Sequence, residues 1–156
     1  MNPLRRTLLK SAGTTGAIGA LLIAGLLQPA RVLAADWQRR AFTANSFGDS
    51  LKAYGAENST ENRDIVISAA DISENGAQVP IDISSNIPGN QTIAVFVEKN
   101  PMPLAASVSF ANGALAQMRL QLKMAESSRI RVVVKAADGK TYHASREIKV
   151  TLGGCG

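Results

Sequence analysis

Cys155 and His143 are the only cysteine and the only histidine in the chain, twelve positions apart. Few chemistries can be built from so small a supply. A metal site draws on clustered Cys, His or carboxylate ligands, and a hydrolytic triad sets a base beside its nucleophile. The sequence has no CxxC pair, no haem-attachment motif and no glycine-rich phosphate loop after a strand. His143 stands between Tyr142 and Ala144 in a strand-like run, where a solvent-facing or packing role is expected rather than catalysis. The expectation is therefore no cofactor, no metal and no catalytic residue, with Cys155 as the one reactive atom.

Cys155 lies in the run Gly153-Gly154-Cys155-Gly156, directly after the strand-like segment Glu147–Leu152. Glycine has no Cβ and orders poorly, so residues 153–156 are expected to form a flexible arm that keeps the thiol out of any core. A free thiol is only a few per cent ionised at neutral pH, given a reference pKa of about 8.5. No cation lies within the motif; Arg146 and Lys149 are the nearest in sequence, and the terminal carboxylate on Gly156 opposes ionisation. A partner's active site would have to ionise or oxidise the sulfur. The three residues beyond Leu152 extend roughly 10 Å, at about 3.3–3.6 Å each, and bare glycines suit a narrow channel. Two readings follow: a covalent carrier arm, or a thiol that makes intermolecular disulfides in an oxidising compartment.

The beginning of the chain indicates the compartment. Arg5 and Arg6 precede Leu8-Leu9-Lys10, then a weakly apolar stretch from Ser11 to Leu27, then Arg31 and Val32-Leu33-Ala34-Ala35. This order of charged, apolar and small residues is that of an export signal, and the paired arginines resemble a twin-arginine signal. Cleavage is expected after Ala34, with residues 1–34 as the signal and a periplasmic destination. The competing reading is an uncleaved anchor, for which about 17 residues is the low edge of a bilayer span. Four of the 17 basic residues (Arg5, Arg6, Lys10 and Arg31) fall in the signal, leaving 13 against 12 acidic ones. The overall charge of +5 is thus a targeting feature, and predicts neither nucleic-acid binding nor stable membrane association after cleavage. Twin-arginine export commonly carries folded proteins, and with no cofactor motif a folded partner is expected.

The 122 residues that remain suffice for one domain, expected over 35–152. Trp37, Ala41, Ala44, Phe47, Leu51 and Tyr54 recur at helical spacing, which predicts a packing face on one helix or two short ones ending near Gly55. Asn45-Ser46 and Gly48 weaken its middle. From Arg63 the period becomes two, with strands expected over 64–69, 78–84, 91–98, 104–110, 117–124, 129–137 and 140–151. Asn75-Gly76, Asn112-Gly113 and Asp138-Gly139 favour positive φ and tight hairpins. The fold class predicted is mainly β: an immunoglobulin-like β-sandwich of about seven strands with an N-terminal helical segment and a flexible C-terminal tail.

The glycine-flanked Cys155, the twin-arginine signal and this domain type together resemble the SoxY family, the sulfur-carrier subunits of the bacterial thiosulfate-oxidising Sox system. Glu74-Asn75-Gly76-Ala77-Gln78-Val79-Pro80 and Glu98-Lys99-Asn100-Pro101-Met102-Pro103-Leu104 look like that family's internal segments. One departure is the single Gly156 where many members carry two glycines. The resemblance implies that a haem enzyme, SoxXA, joins thiosulfate to Cys155 and that a hydrolase, SoxB, releases sulfate and leaves a persulfide. It also implies a heterodimer with SoxZ and a further transient partner in the sulfane dehydrogenase SoxCD. The chain would then be a substrate carrier and no enzyme. The alternative is a β-sandwich binding or assembly subunit whose Cys155 forms intermolecular disulfides.

Overall fold

The structure is a computed structural model and describes residues 34–111 and 113–151. Arg5, Arg6, Gly153, Gly154, Cys155 and Gly156 lie outside the described residues.

The helical face resolves into two helices, α1 (Ala34–Thr43) and α2 (Phe47–Tyr54). The break falls at Ala44–Ser46 because Ser46 has extended backbone and caps α2. Its hydroxyl oxygen accepts from the Asp49 amide at 3.1 Å, a bond that satisfies one of the donors orphaned at a helix start. Gly55 ends α2 with φ of 74°, a left-handed cap that donates back into the last turn.

Nine strands follow among the described residues: β1 (Thr60–Glu61), β2 (Ile65–Ser68), β3 (Ile72–Ser73), β4 (Val79–Ser85), β5 (Asn90–Val97), β6 (Leu104–Ser109), β7 (Gln117–Leu122), β8 (Ser128–Ala136) and β9 (Thr141–Val150). Seven coincide with the period-two runs. The other two, β1 and β3, are two-residue strands that pair in parallel with β9. Two residues are too few to show a period, so the sequence carries no sign of them.

The strands form two sheets, one ordered β1-β9-β8-β5-β6 with β3 also on β9, the other β2-β4-β7. Their facing sides enclose a core of Ile81, Ile83, Val95, Ile130, Val132, Ile148 and their neighbours. The outer side of the larger sheet is covered by the helices, which pack Ala41, Leu51 and Tyr54 on Ala94, Phe96 and Val133. Phe96 meets Tyr54 and Phe47 edge to face, with centroids 5.6 and 6.1 Å apart. This second layer is why β5 and β8 are buried on both faces, whereas β2 and β4 alternate.

The turn signals need one correction. Asp138-Gly139 closes the hairpin between β8 and β9, with Gly139 at φ 80°. Gly113 also has positive φ (73°), but the segment around it crosses from β6 in one sheet to β7 in the other. Gly76 has no positive φ; it is buried between β3 and β4, which lie in different sheets. An Asn-Gly pair sets local conformation, but sheet membership follows from which apolar faces must be covered.

Candidate functional site: the root of the C-terminal tail

Cys155 follows β9 in the sequence, and the structure describes how the end of that strand is held through Thr151. The antiparallel ladder between β8 and β9 finishes at Ser128↔Ile148. Residues 125–127 bend away, so no strand lies opposite Val150 on that side. The Ser127 hydroxyl takes its place: it accepts from the Val150 amide at 2.9 Å and lies 3.3 Å from the Val150 carbonyl oxygen, to which it can donate. On the other side β3 runs parallel to β9, pairing Ile72 with Lys149 and Ser73 with Val150. There the Lys149 amide donates to the Asp71 carbonyl at 2.9 Å and the Thr151 amide to the Ser73 carbonyl at 3.1 Å. The Thr151 hydroxyl adds a 3.0 Å bond to the Glu74 carbonyl.

Two loops support these contacts, and they are the two stretches on which the sequence resemblance rests. In the first, Asn75 Oδ1 accepts from the Ala77 amide at 2.8 Å, which shapes the turn after Glu74. The Gly76 carbonyl accepts from the Met124 amide at 2.7 Å. In the second, Asn100 donates to the Lys123 carbonyl at 2.7 Å and accepts from the Ala125 amide at 2.9 Å, while the Lys99 amide donates to the Ser128 hydroxyl at 3.1 Å. Segment 123–128, which presents Ser127 to β9, is thus pinned from both stretches. Ile72 stands beside the root with 60 % of its surface exposed.

His143 is tied to the segment that precedes β1. It is half-buried on β9 opposite Val133, with Nδ1 3.0 Å from the Ser59 hydroxyl and 3.1 Å from the Ser59 carbonyl oxygen. Nδ1 donates to that carbonyl in one tautomer and accepts from the Ser59 hydroxyl in the other. Burial, and next the nearby Arg131 charge, hold the imidazole below its ordinary pKa. The ring fastens the segment before β1 to the sheet, which is the packing role expected of it. Among the described residues no group of three His, Cys, Asp or Glu side chains is placed to hold a metal ion. No described helix is long and apolar enough to cross a membrane.

Ser127, Thr151 and β3 were not singled out by residue type or spacing. The signal was present only indirectly, in the polar and turn-forming residues of the two resembling stretches.

Comparison with known proteins bears directly on this geometry. The sequence profile of the sulfur oxidation protein SoxY matches residues 51–155, which takes in β1 to β9, both supporting stretches and Cys155. The chain belongs to the SoxY family. Among solved structures, the sulfur carrier protein SoxY from Chlorobium limicola f thiosulfatophilum is 36% identical, with a TM-score of 0.60 over 67% of this chain and 94% of that one. A superoxide reductase (neelaredoxin) variant from Ignicoccus hospitalis superposes with a TM-score of 0.50 at 18% identity, over 64% of this chain and 86% of its own. At that identity the likeness is one of fold alone. No curated protein matches this chain. The helical layer that opens the domain, from Ala34, begins before the part of the SoxY profile that matches.

Proposed function

We propose that this SoxY-family chain is a periplasmic sulfur carrier of the Sox system, exported by the twin-arginine route, which holds thiosulfate-derived intermediates covalently on Cys155. The observation that carries the reading is the root of the tail. A two-sheet domain holds β9 on both sides as far as Thr151, and the single cysteine follows four residues later. Four residues span at most about 14 Å, at about 3.3–3.6 Å each. A thiol on such a leash is presented to other proteins, and among the described residues no group of His, Cys, Asp and Glu side chains is placed to hold a metal ion.

The chemistry is then divided between the carrier and its partners. The haem enzyme SoxXA joins the Cys155 thiol and thiosulfate oxidatively: one S–S bond forms, the S–H proton is released, and two electrons leave one at a time through the enzyme's haem iron to its electron acceptor. The product is the cysteine S-thiosulfonate. SoxB adds water across the bond between the sulfane and sulfone sulfurs, so that sulfate departs with the sulfone and a persulfide stays on Cys155. Oxidation of the remaining sulfane sulfur by SoxCD, where that branch is present, or its transfer to an acceptor regenerates the carrier. SoxZ is the stable partner chain. Through these steps Cys155 supplies the covalent link, and Gly153, Gly154 and Gly156 supply side-chain-free backbone for entering each site.

Intact-mass analysis of the protein from thiosulfate-grown cells tests the reading. Sulfur-containing adducts mapped to the peptide with Cys155 are expected. Free thiol or disulfide-linked dimer alone would favour the assembly subunit instead.

A further inference from the structure

The hydrogen bonds at the end of β9 are more than the ladder needs. An antiparallel strand that loses its neighbour ordinarily frays from that point, and β8 ceases to pair after Ser128↔Ile148. Yet Val150 keeps both backbone groups within hydrogen-bond distance of one side chain, the Ser127 hydroxyl. Thr151 is held through its amide by Ser73 and through its hydroxyl by Glu74.

We propose that Ser127 and Thr151 are positioning residues that clamp the tail at Thr151 and so set the reach of the Cys155 sulfur. The proposal rests on the carrier reading for its consequence, although the clamp itself does not. With the clamp in place, Cys155 follows Thr151 by four residues, a reach of at most about 14 Å. If the strand frayed back to Ile148, the last residue paired with β8, seven residues would be free and the reach would be about 24 Å. The effective concentration of a tethered group falls roughly as the −3/2 power of tether length. A loosened root therefore dilutes the sulfur at a partner's active site by about twofold or more without altering the thiol. The two stretches meet the end of β9 and segment 123–128 mainly through backbone groups and the Asn75 and Asn100 amides, and holding the root is the work their geometry fits.

The test compares the wild-type chain with the Ser127→Ala/Thr151→Val double variant and with Ser127→Thr, which keeps the hydroxyl. Amide exchange by NMR reads the clamp directly. The Val150 amide is expected to exchange about fivefold faster or more in the double variant, the factor that losing one hydrogen bond represents, and at the wild-type rate in Ser127→Thr. Unchanged exchange in the double variant, or equal acceleration in Ser127→Thr, overturns the clamp. Reach is read from loading of Cys155 with thiosulfate by the purified haem partner. KM for the carrier is expected to rise about twofold or more at unchanged kcat, while alkylation by a small maleimide keeps its wild-type rate. Accelerated exchange with unchanged KM overturns the link to reach. A wild-type chain that takes up no thiosulfate overturns the carrier reading instead, and the exchange data still decide the clamp.

Discussion

Lys135 Nζ lies 4.1 Å from the centroid of the Tyr54 ring and 2.6 Å from the Tyr54 carbonyl oxygen, to which it donates. Tyr54 is the last residue of α2 and Lys135 stands on β8. One ammonium group therefore satisfies a carbonyl at a helix C-terminus, where the helix dipole favours a cation, and also covers an aromatic face. The tyrosine hydroxyl reaches in turn to Thr92 and Ser107 at 3.2 and 3.3 Å. The helical layer is fixed to the sheet by polar contacts at its margin as well as by the apolar contacts beneath.

Lys135→Met is expected to destabilise the fold by about 1–2 kcal/mol, because a half-buried carbonyl loses its donor while the apolar stem is kept. The check is a lower urea midpoint with unchanged slope. Burial holds the Lys135 pKa below 10.5, so above that depressed value and below 10.5 the unfolded chain binds more protons. Wild-type stability therefore gains a rising contribution with pH in that window, which the variant lacks.

Phe96→Ala removes the ring on which α2 and Phe47 converge. Phe96 is fully buried, so a loss of about 3–5 kcal/mol is expected. Chemical denaturation reads it, and a loss below about 1 kcal/mol would mean that the helices do not pack on this face.

His143 supplies a pH dependence of known sign. Its folded pKa is below 6.5, first through burial and then through Arg131. As pH falls through 6.5 toward that value the unfolded chain takes up the proton first, and stability declines; below the folded pKa the decline stops. Urea midpoints of wild type and His143→Gln are expected to draw together or cross between pH 8 and pH 5, as the wild type loses this contribution. A constant difference would rule out titration at His143.

Cys155→Ser is expected to abolish thiosulfate-dependent adducts while leaving the unfolding free energy within about 0.5 kcal/mol, since Cys155 lies beyond the domain's core elements. Gly154→Val keeps the thiol and adds a branched side chain beside it. Turnover by the partner enzymes is expected to fall about tenfold or more through misplacement of the sulfur, with maleimide labelling retained. Equal turnover in the two glycine forms would remove the reason given for the glycines.

Most of the sandwich was legible because a sheet covered on one face leaves a period of two. Ile81, Asp82 and Ile83 on β4 alternate buried, exposed, buried, as the sequence predicted. Residues 93–97 of β5 are buried without interruption, and there the pattern carries no period; length and the flanking turn residues marked the strand. The hairpins were less legible. Asn112-Gly113 and Asp138-Gly139 look alike in sequence, yet only the second joins strands of the same sheet.

For the candidate site, residue type singled out Cys155 for the proposal, because the chain has no other cysteine and glycines flank it. It favoured a solvent-facing or packing role for His143, and the structure sets the ring against Ser59. The hold on the tail could not be read in this way. Ser127, Ser73 and Glu74 meet Thr151 and Val150 from distant parts of the chain, through one hydroxyl and several backbone carbonyls. Every residue has a backbone carbonyl, so composition and spacing are silent about which ones meet. The sequence by itself determined that the chain has a single thiol and where its strands alternate, both of which are local properties. Only the tertiary structure decided how the end of β9 is held, because that depends on a two-residue strand and a serine hydroxyl brought to β9 by the folding of everything between them.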